Sequence, residues 1–99
     1  MITYSISDPA TRDLEEIHEW YGEAGAGTAG MRILKRLADK FEFLTKHPKM
    51  GRLRPELGPE IRSSFVKPYL ACYRIAGSEI QILRVLHHRR DIRGPMFEE

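Results

Sequence analysis

Residues 61–87, IRSSFVKPYLACYRIAGSEIQILRVLH, decide the fold. β-Branched and aromatic residues concentrate there in three segments, Ile61 to Val66, Tyr69 to Ile75 and Glu79 to His87, as is typical of strands. The links between them are two and three residues long, so we predict two antiparallel hairpins. The third segment has apolar residues on both faces, which indicates a central strand rather than an edge.

The N-terminal part predicts one strand and two helices. Residues 2–7 alternate apolar and polar side chains, as a short strand does. Asp8-Pro9 predicts the start of a first helix, because the carboxylate can accept a hydrogen bond from a free amide and proline suits the first helical position. A glycine-rich connector at 22–27 then leads to a second helix from Thr28, the expected N-cap, to Lys46 or His47.

Together these elements predict one α+β domain over residues 1–99, with the order β-α-α-β-β-β. We expect an antiparallel sheet with an N-terminal helical hairpin packed on one face, since this arrangement buries the apolar stripe of each helix. No further element is predicted to cover the second face of the sheet. A partly apolar face without a cover favours an interaction site there.

Charge is distributed unevenly along the chain. Up to Gly30 there are six acidic residues and one base, whereas fifteen bases and eight acids follow from Met31 onward. The basic residues Arg52 and Arg54 lie in a proline-rich segment, 48–59, that we predict to be a loop. A basic second half indicates an anionic partner, either nucleic acid or an acidic protein segment.

Several classes of protein are disfavoured by the sequence. A single cysteine, Cys72, provides neither a disulfide framework nor a pair of metal ligands, and it suits a reducing compartment. His87-His88-x-x-Asp91 lacks the spacing of a persuasive metal site, so we predict no metal and no cofactor. The first residues do not resemble a secretion signal, and no apolar run is long enough to cross a bilayer. We therefore expect a cytoplasmic protein without a membrane partner.

Five groups of residues carry a resemblance to a known family. They are Tyr4-Ser5-Ile6-Ser7 with Asp13-Leu14-Glu15-Glu16-Ile17, Pro48-x-x-Gly51-Arg52 with Arg54-Pro55-Glu56-Leu57, Ile61-Arg62-Ser63, Tyr73-Arg74-Ile75, and Ile80-x-Ile82-Leu83-Arg84-Val85-Leu86-His87-His88-Arg89-Arg90-Asp91. Over nearly its whole length the sequence resembles the ParE toxins of the ParE/RelE superfamily. The resemblance implies a RelE-like fold and a type II toxin–antitoxin pair. It implies a cognate antitoxin as partner, and hence a hetero-oligomer.

Three functions are compatible with this resemblance. The first is a toxin that inhibits DNA gyrase by binding, without enzymatic chemistry. The second is a RelE-like endonuclease that cleaves mRNA on the ribosome, and the third is a degenerate antitoxin-binding module without toxicity. RNA cleavage requires a proton acceptor, a proton donor and cations around the phosphate. Its candidates here are Arg62, Arg84, His87 and His88.

The candidate residues for binding the target or the antitoxin are mostly basic. They are Arg52, Arg54, Arg62, Tyr73, Arg74, Arg84, His88, Arg89, Arg90 and Arg93. Counting in twos along the last strand places Arg84 on the face of Ile80, Ile82 and Leu86, and a buried ion pair is its alternative interpretation. Because His87 and His88 are adjacent on an extended chain, we expect their side chains to point to opposite faces. The alternative role of either histidine is a hydrogen bond at the strand end.

Overall fold

The computed structural model describes residues 2–97, which form two helices and a five-stranded sheet. The elements in chain order are β1 (Thr3–Ile6), α1 (Asp8–Glu23), α2 (Gly27–Lys46), β2 (Arg52–Leu53), β3 (Arg62–Val66), β4 (Tyr69–Ala76), β5 (Glu79–His87) and a short 3-10 helix (Gly94–Phe97). The α+β class, the helical hairpin and the three C-terminal strands are confirmed. The short strand β2 lies inside the segment that we predicted to be only a loop.

The sheet has the order β1-β5-β4-β3-β2, so β5 is a central strand as predicted. The neighbours β3, β4 and β5 are antiparallel. However, β1 runs parallel to β5, with Thr3 opposite Glu79 and Ile6 opposite Ile82, and the sheet is therefore mixed rather than wholly antiparallel. Short links fix only the directions of strands that follow one another, whereas the long connection between β1 and β5 permits parallel pairing.

The N-cap residues differ from the predicted ones by one residue in α1 and by two in α2. Ser7, not Asp8, caps α1, because its backbone is extended (φ −66°, ψ 162°) and its hydroxyl accepts a hydrogen bond from the amide of Ala10 at 3.2 Å. α2 begins at Gly27 behind Ala26, which provides no side-chain cap, and Thr28 already lies within the helix.

The main core lies between the helical hairpin and one face of the sheet. Ala10 and Ile17 of α1 and Leu37, Phe41 and Leu44 of α2 are buried there. The sheet residues buried against them are Val66, Tyr69, Ala71, Tyr73, Ile80, Ile82 and Val85.

The second face of the sheet is covered in part by the chain itself, which corrects our expectation of an uncovered face. Cys72 is fully buried there in a smaller cluster with Leu57 and Ile61. Ile92 and Phe97 pack against this cluster from the segment after β5. The loop before β3 and the C-terminal segment thus supply the apolar residues of this cluster. Neither segment is a regular helix or strand, so no periodic pattern in the sequence predicts their burial.

Candidate functional site

A β-bulge in β5 determines where Arg84 lies. Cys72 of β4 is opposite Arg84 whereas Tyr73 is opposite Ile82, so Leu83 is an extra residue in β5. Ile80 and Ile82 point into the main core, and because of the extra residue the next side chain of β5 in that core is Val85 rather than Arg84. The prediction assumed a regular two-residue alternation of side chains along the strand, and it therefore placed Arg84 on the wrong face of the sheet.

Arg84 forms a largely buried ion pair with Asp13 of α1. Its Nε donates to Asp13 Oδ2 at 2.7 Å and its Nη2 to Oδ1 at 2.9 Å, while the amide of Val85 also donates to Oδ2 at 2.9 Å. The side chains of Arg84 and Asp13 are 17% and 6% exposed. The hydrogen bonds to Asp13 raise the pKa of the Arg84 guanidinium. Arg84 thus holds α1 against the bulge, which is the ion-pair alternative rather than a free cation for docking.

Tyr73 and Arg62 fasten the start of the 48–59 loop to the sheet. The Tyr73 hydroxyl donates to the carbonyl of Pro48 at 2.8 Å and accepts from the amide of Gly51 at 2.9 Å. Arg62 Nη1 donates to the carbonyls of Gly51 at 2.9 Å and Lys49 at 3.1 Å. Burial raises the pKa of the Tyr73 phenol. Both side chains are therefore committed to holding the loop.

The remaining candidate arginines lie at different places on the surface. Arg54 Nε contacts Glu56 Oε2 at 2.8 Å, and Arg74 Nε donates to Gln81 Oε1 at 2.9 Å. Arg93 forms an exposed ion pair with Asp91 at 2.6 Å. The structure therefore does not gather the predicted binding residues into one site. The exposed ones are Arg52, Arg74, Arg89, Arg90 and Arg93.

The imidazole rings of His87 and His88 stack, with centroids 5.0 Å apart and planes 24° from parallel. The expectation of opposite faces is wrong, because the strand ends at His87 and His88 lies in a turn, where its amide donates to the carbonyl of Pro68 at 2.9 Å. His87 Nδ1 accepts a hydrogen bond from the amide of Arg89 at 3.2 Å. The His87 ring therefore makes a strand-end hydrogen bond, whereas the hydrogen bond of His88 is made by its backbone. The pKa of His88 is lowered by desolvation and by electrostatic repulsion from His87, Arg89 and Lys67.

Sequence reasoning missed a groove between α2 and the edge of the sheet, which we call the α2–β3 groove. It is lined by Arg36, Asp39, Lys40, Phe43, Phe65 and Val66. Phe43 is 39% and Phe65 is 49% exposed, and Lys40 Nζ lies 5.3 Å from the centroid of the Phe43 ring. The spacing of Arg36, Lys40 and Phe43 by four and three residues places them on one helix face, and this was the available signal.

Two further classes of feature are missing from residues 2–97. No three histidine, cysteine, aspartate or glutamate side chains come together in that range as a set of metal ligands. In the same range, neither helix combines the length and the apolar character needed to cross a bilayer.

Comparison with known proteins identifies the family. Residues 4–92 match the family described as "ParE toxin of type II toxin-antitoxin system, parDE". The chain belongs to the ParE toxin family. It is 31% identical over 84 residues to Toxin ParE3 of Caulobacter vibrioides, an alignment that covers 85% of this chain and 84% of that toxin. It is 28% identical over 90 residues to Toxin ParE1 of Mycobacterium tuberculosis, with 90% and 92% covered.

A solved structure supports the same assignment. A chain of the "Chromosomal ParDE TA system from P. aeruginosa" superposes on this ParE family member with a TM-score of 0.75 and 25% identity. The superposition covers 88% of this chain and 96% of the other. The resemblance noted in the sequence is thereby confirmed, and so is the fold it implied.

Proposed function

We propose that this ParE family toxin inhibits DNA gyrase by binding to it, and that a cognate antitoxin neutralises the toxin by forming a hetero-oligomer with it in the cytoplasm. Family membership supports the toxin role. The similar chain from P. aeruginosa belongs to a ParDE toxin–antitoxin system, which supports an antitoxin partner for this chain as well.

One observation favours binding over RNA cleavage. The two arginines that a nuclease site would require already bind groups within the protein. Arg84 is held by Asp13, and Arg62 is held by two backbone carbonyls. Cations that stabilise a cleaved phosphate must point at it with their donors available. Arg89 and Arg90, by contrast, are exposed beside the end of β5 and are available for electrostatic docking.

The decisive experiment offers the purified toxin two targets separately. Supercoiling by gyrase and the integrity of mRNA on translating ribosomes are measured over the same range of toxin concentration. We expect loss of supercoiling with intact mRNA. Cleaved mRNA with unaffected supercoiling would replace this proposal by the endonuclease function, and no effect in either assay would indicate a non-toxic module.

Two variants distinguish docking from catalysis. Arg89→Ala with Arg90→Ala should weaken gyrase inhibition about tenfold, because two exposed cations are lost, and added salt should reduce the difference from the wild type. His88→Gln retains size and hydrogen bonding but cannot titrate, so we expect nearly unchanged inhibition. If His88 were an acid or base, this variant would lose roughly two to four orders of magnitude in rate. Growth arrest and mRNA integrity, scored in the same cells, test both variants.

A further inference from the structure

An aromatic cavity of about 350 Å³ lies between the end of α1 and the end of the sheet. Its lining side chains are Trp20 and Tyr21 of α1, Tyr69 of β4 and His87 of β5, and each of them carries a planar ring. Trp20 and Tyr21 meet edge to face with their centroids 4.8 Å apart, as do Tyr69 and His87 at 5.6 Å. Trp20 is 62% exposed, which leaves ring surface free for a ligand that stacks.

A smaller cavity of about 180 Å³ adjoins the aromatic one, because Tyr69 and His87 line both. It adds Glu16 of α1 and Arg90 of the segment after β5. Both side chains are exposed, and neither forms an ion pair with any residue in the described range 2–97. We call the two cavities together the aromatic cleft. The cleft thus combines stacking surface with one unpaired carboxylate and one unpaired guanidinium.

These two charges restrict the chemistry of a ligand. Asp13 also lines the smaller cavity, but Arg84 neutralises its carboxylate, so the remaining charges are negative at Glu16 and positive at Arg90. An arginine or lysine side chain of another protein would stack on the rings and pair with Glu16, but Arg90 would repel it. A nucleotide satisfies both charges, because its base carries N–H donors and its phosphate is an anion.

We infer that the aromatic cleft binds one guanine nucleotide unit. The base stacks among the rings, its N–H edge donates to Glu16, and its phosphate accepts hydrogen bonds from Arg90. Guanine is the preferred base, because its ring N–H and its 2-amino group lie side by side and one carboxylate accepts from both. This inference goes beyond the proposed function and does not depend on it.

Trp20 provides the measurement, because it is the single tryptophan of the chain and lines the cleft. Guanosine 5′-monophosphate should quench its fluorescence saturably in the full toxin. Guanosine, which has no phosphate, should bind about tenfold more weakly because it lacks the charge-assisted contact. Inosine 5′-monophosphate lacks the 2-amino group, and it should bind about threefold more weakly than the guanine nucleotide.

Two variants assign the contacts. Arg90→Ala should weaken binding of guanosine 5′-monophosphate about tenfold and leave binding of guanosine unchanged. Glu16→Gln should remove the preference for guanine over inosine, since an amide offers one acceptor where the carboxylate offers two. The matched controls, Arg32→Ala and Glu15→Gln, change exposed residues outside the cleft and should bind like the wild type. Circular dichroism checks that each variant is folded.

Short single-stranded DNA and RNA oligonucleotides with one guanine each distinguish the source of the nucleotide. Tighter binding of one of them than of guanosine 5′-monophosphate assigns the cleft to that nucleic acid, and tighter binding of the mononucleotide assigns it to free nucleotides. Both results support the inference. Changes in the amide NMR shifts of Glu16, His87 and Arg90 provide a readout that is independent of tryptophan.

Two results would refute the site. The first is the absence of saturable quenching and of shift changes with every probe at millimolar concentration. The second is equal binding of guanosine 5′-monophosphate by the wild type, Arg90→Ala and Glu16→Gln, which would reduce the effect to unspecific stacking on the exposed indole of Trp20.

Discussion

Asp13 is a buried carboxylate that accepts hydrogen bonds from both Arg84 and the amide of Val85. A charge buried without its partner is costly, because the surroundings cannot replace its hydration. The pair therefore explains why an arginine is tolerated beside the core at the bulge.

Removing one member of this pair should destabilise the protein strongly. We expect Asp13→Ala to lower the free energy of unfolding by about 3 kcal/mol, since Arg84 then lacks its counter-charge. Asp13→Leu with Arg84→Met should cost less than the sum of the two single changes, because no buried charge is left unpaired. Urea denaturation of the single and double variants gives this coupling, and exposed Asp39→Ala is the control, expected to cost under about 0.5 kcal/mol. Additive losses at Asp13 and Arg84 would contradict the coupling.

At the scale of elements, the helical hairpin is held together by a close approach at Gly30. A Cβ atom added there would lie 2.6 Å from the Cβ of Tyr21 on α1, which is closer than two side chains can pack. Gly22 on α1 is a matched contrast, since an added Cβ would meet no atom within 4 Å.

These two glycines should respond differently to substitution by alanine. Gly30→Ala should destabilise the protein by about 1–3 kcal/mol, because α2 must move away from Tyr21. Gly22→Ala should be neutral or stabilise it by up to about 1 kcal/mol through helix propensity. Thermal unfolding followed at a helix-sensitive wavelength compares them, and equal effects of the two changes would refute the close approach.

Most helices and strands were predictable from the sequence, whereas features that depend on contacts between distant segments were not. The strands at 62–66, 69–76 and 79–87 follow from local composition and short links, which the sequence displays directly. The bulge at Leu83, the direction of β1 and the α2–β3 groove depend on pairing between distant segments, which local patterns do not encode. Arg62, Tyr73 and Arg84 were selected as binding candidates, and their hydrogen-bond partners within the protein were visible only in the fold.

At the scale of the whole molecule, the C-terminal segment completes the second core. Ile92 and Phe97 pack over the cluster that contains Cys72, and Arg84 Nη1 approaches the carbonyl of Met96 at 3.4 Å. Burial raises the pKa of the Cys72 thiol to about 11. Because the thiolate is the reactive form, the folded protein should be nearly inert to alkylation at neutral pH.

Cys72 therefore reports whether the C-terminal segment is in place. A variant that ends at Asp91 should lose about 2 kcal/mol of stability, as two half-buried apolar side chains are removed. Its thiol should be alkylated much faster than that of the full chain at pH 8, because it is no longer fully buried, whereas the rate for the full chain should rise toward pH 11 as the buried thiolate forms. Mass spectrometry of iodoacetamide-treated samples measures both rates, and equal rates would show that the segment does not protect Cys72.

The parallel pairing of β1 with β5 has a consequence for biosynthesis. Thr3 lies opposite Glu79 and Ile6 opposite Ile82, so the N-terminal strand has no neighbour in the sheet until the last strand has been made. Contacts between such distant segments slow folding, because a long loop must close before they form. A nascent toxin therefore leaves the ribosome with its sheet incomplete. The sheet is complete only after β5 has been translated, so the folded toxin forms no earlier than the end of synthesis.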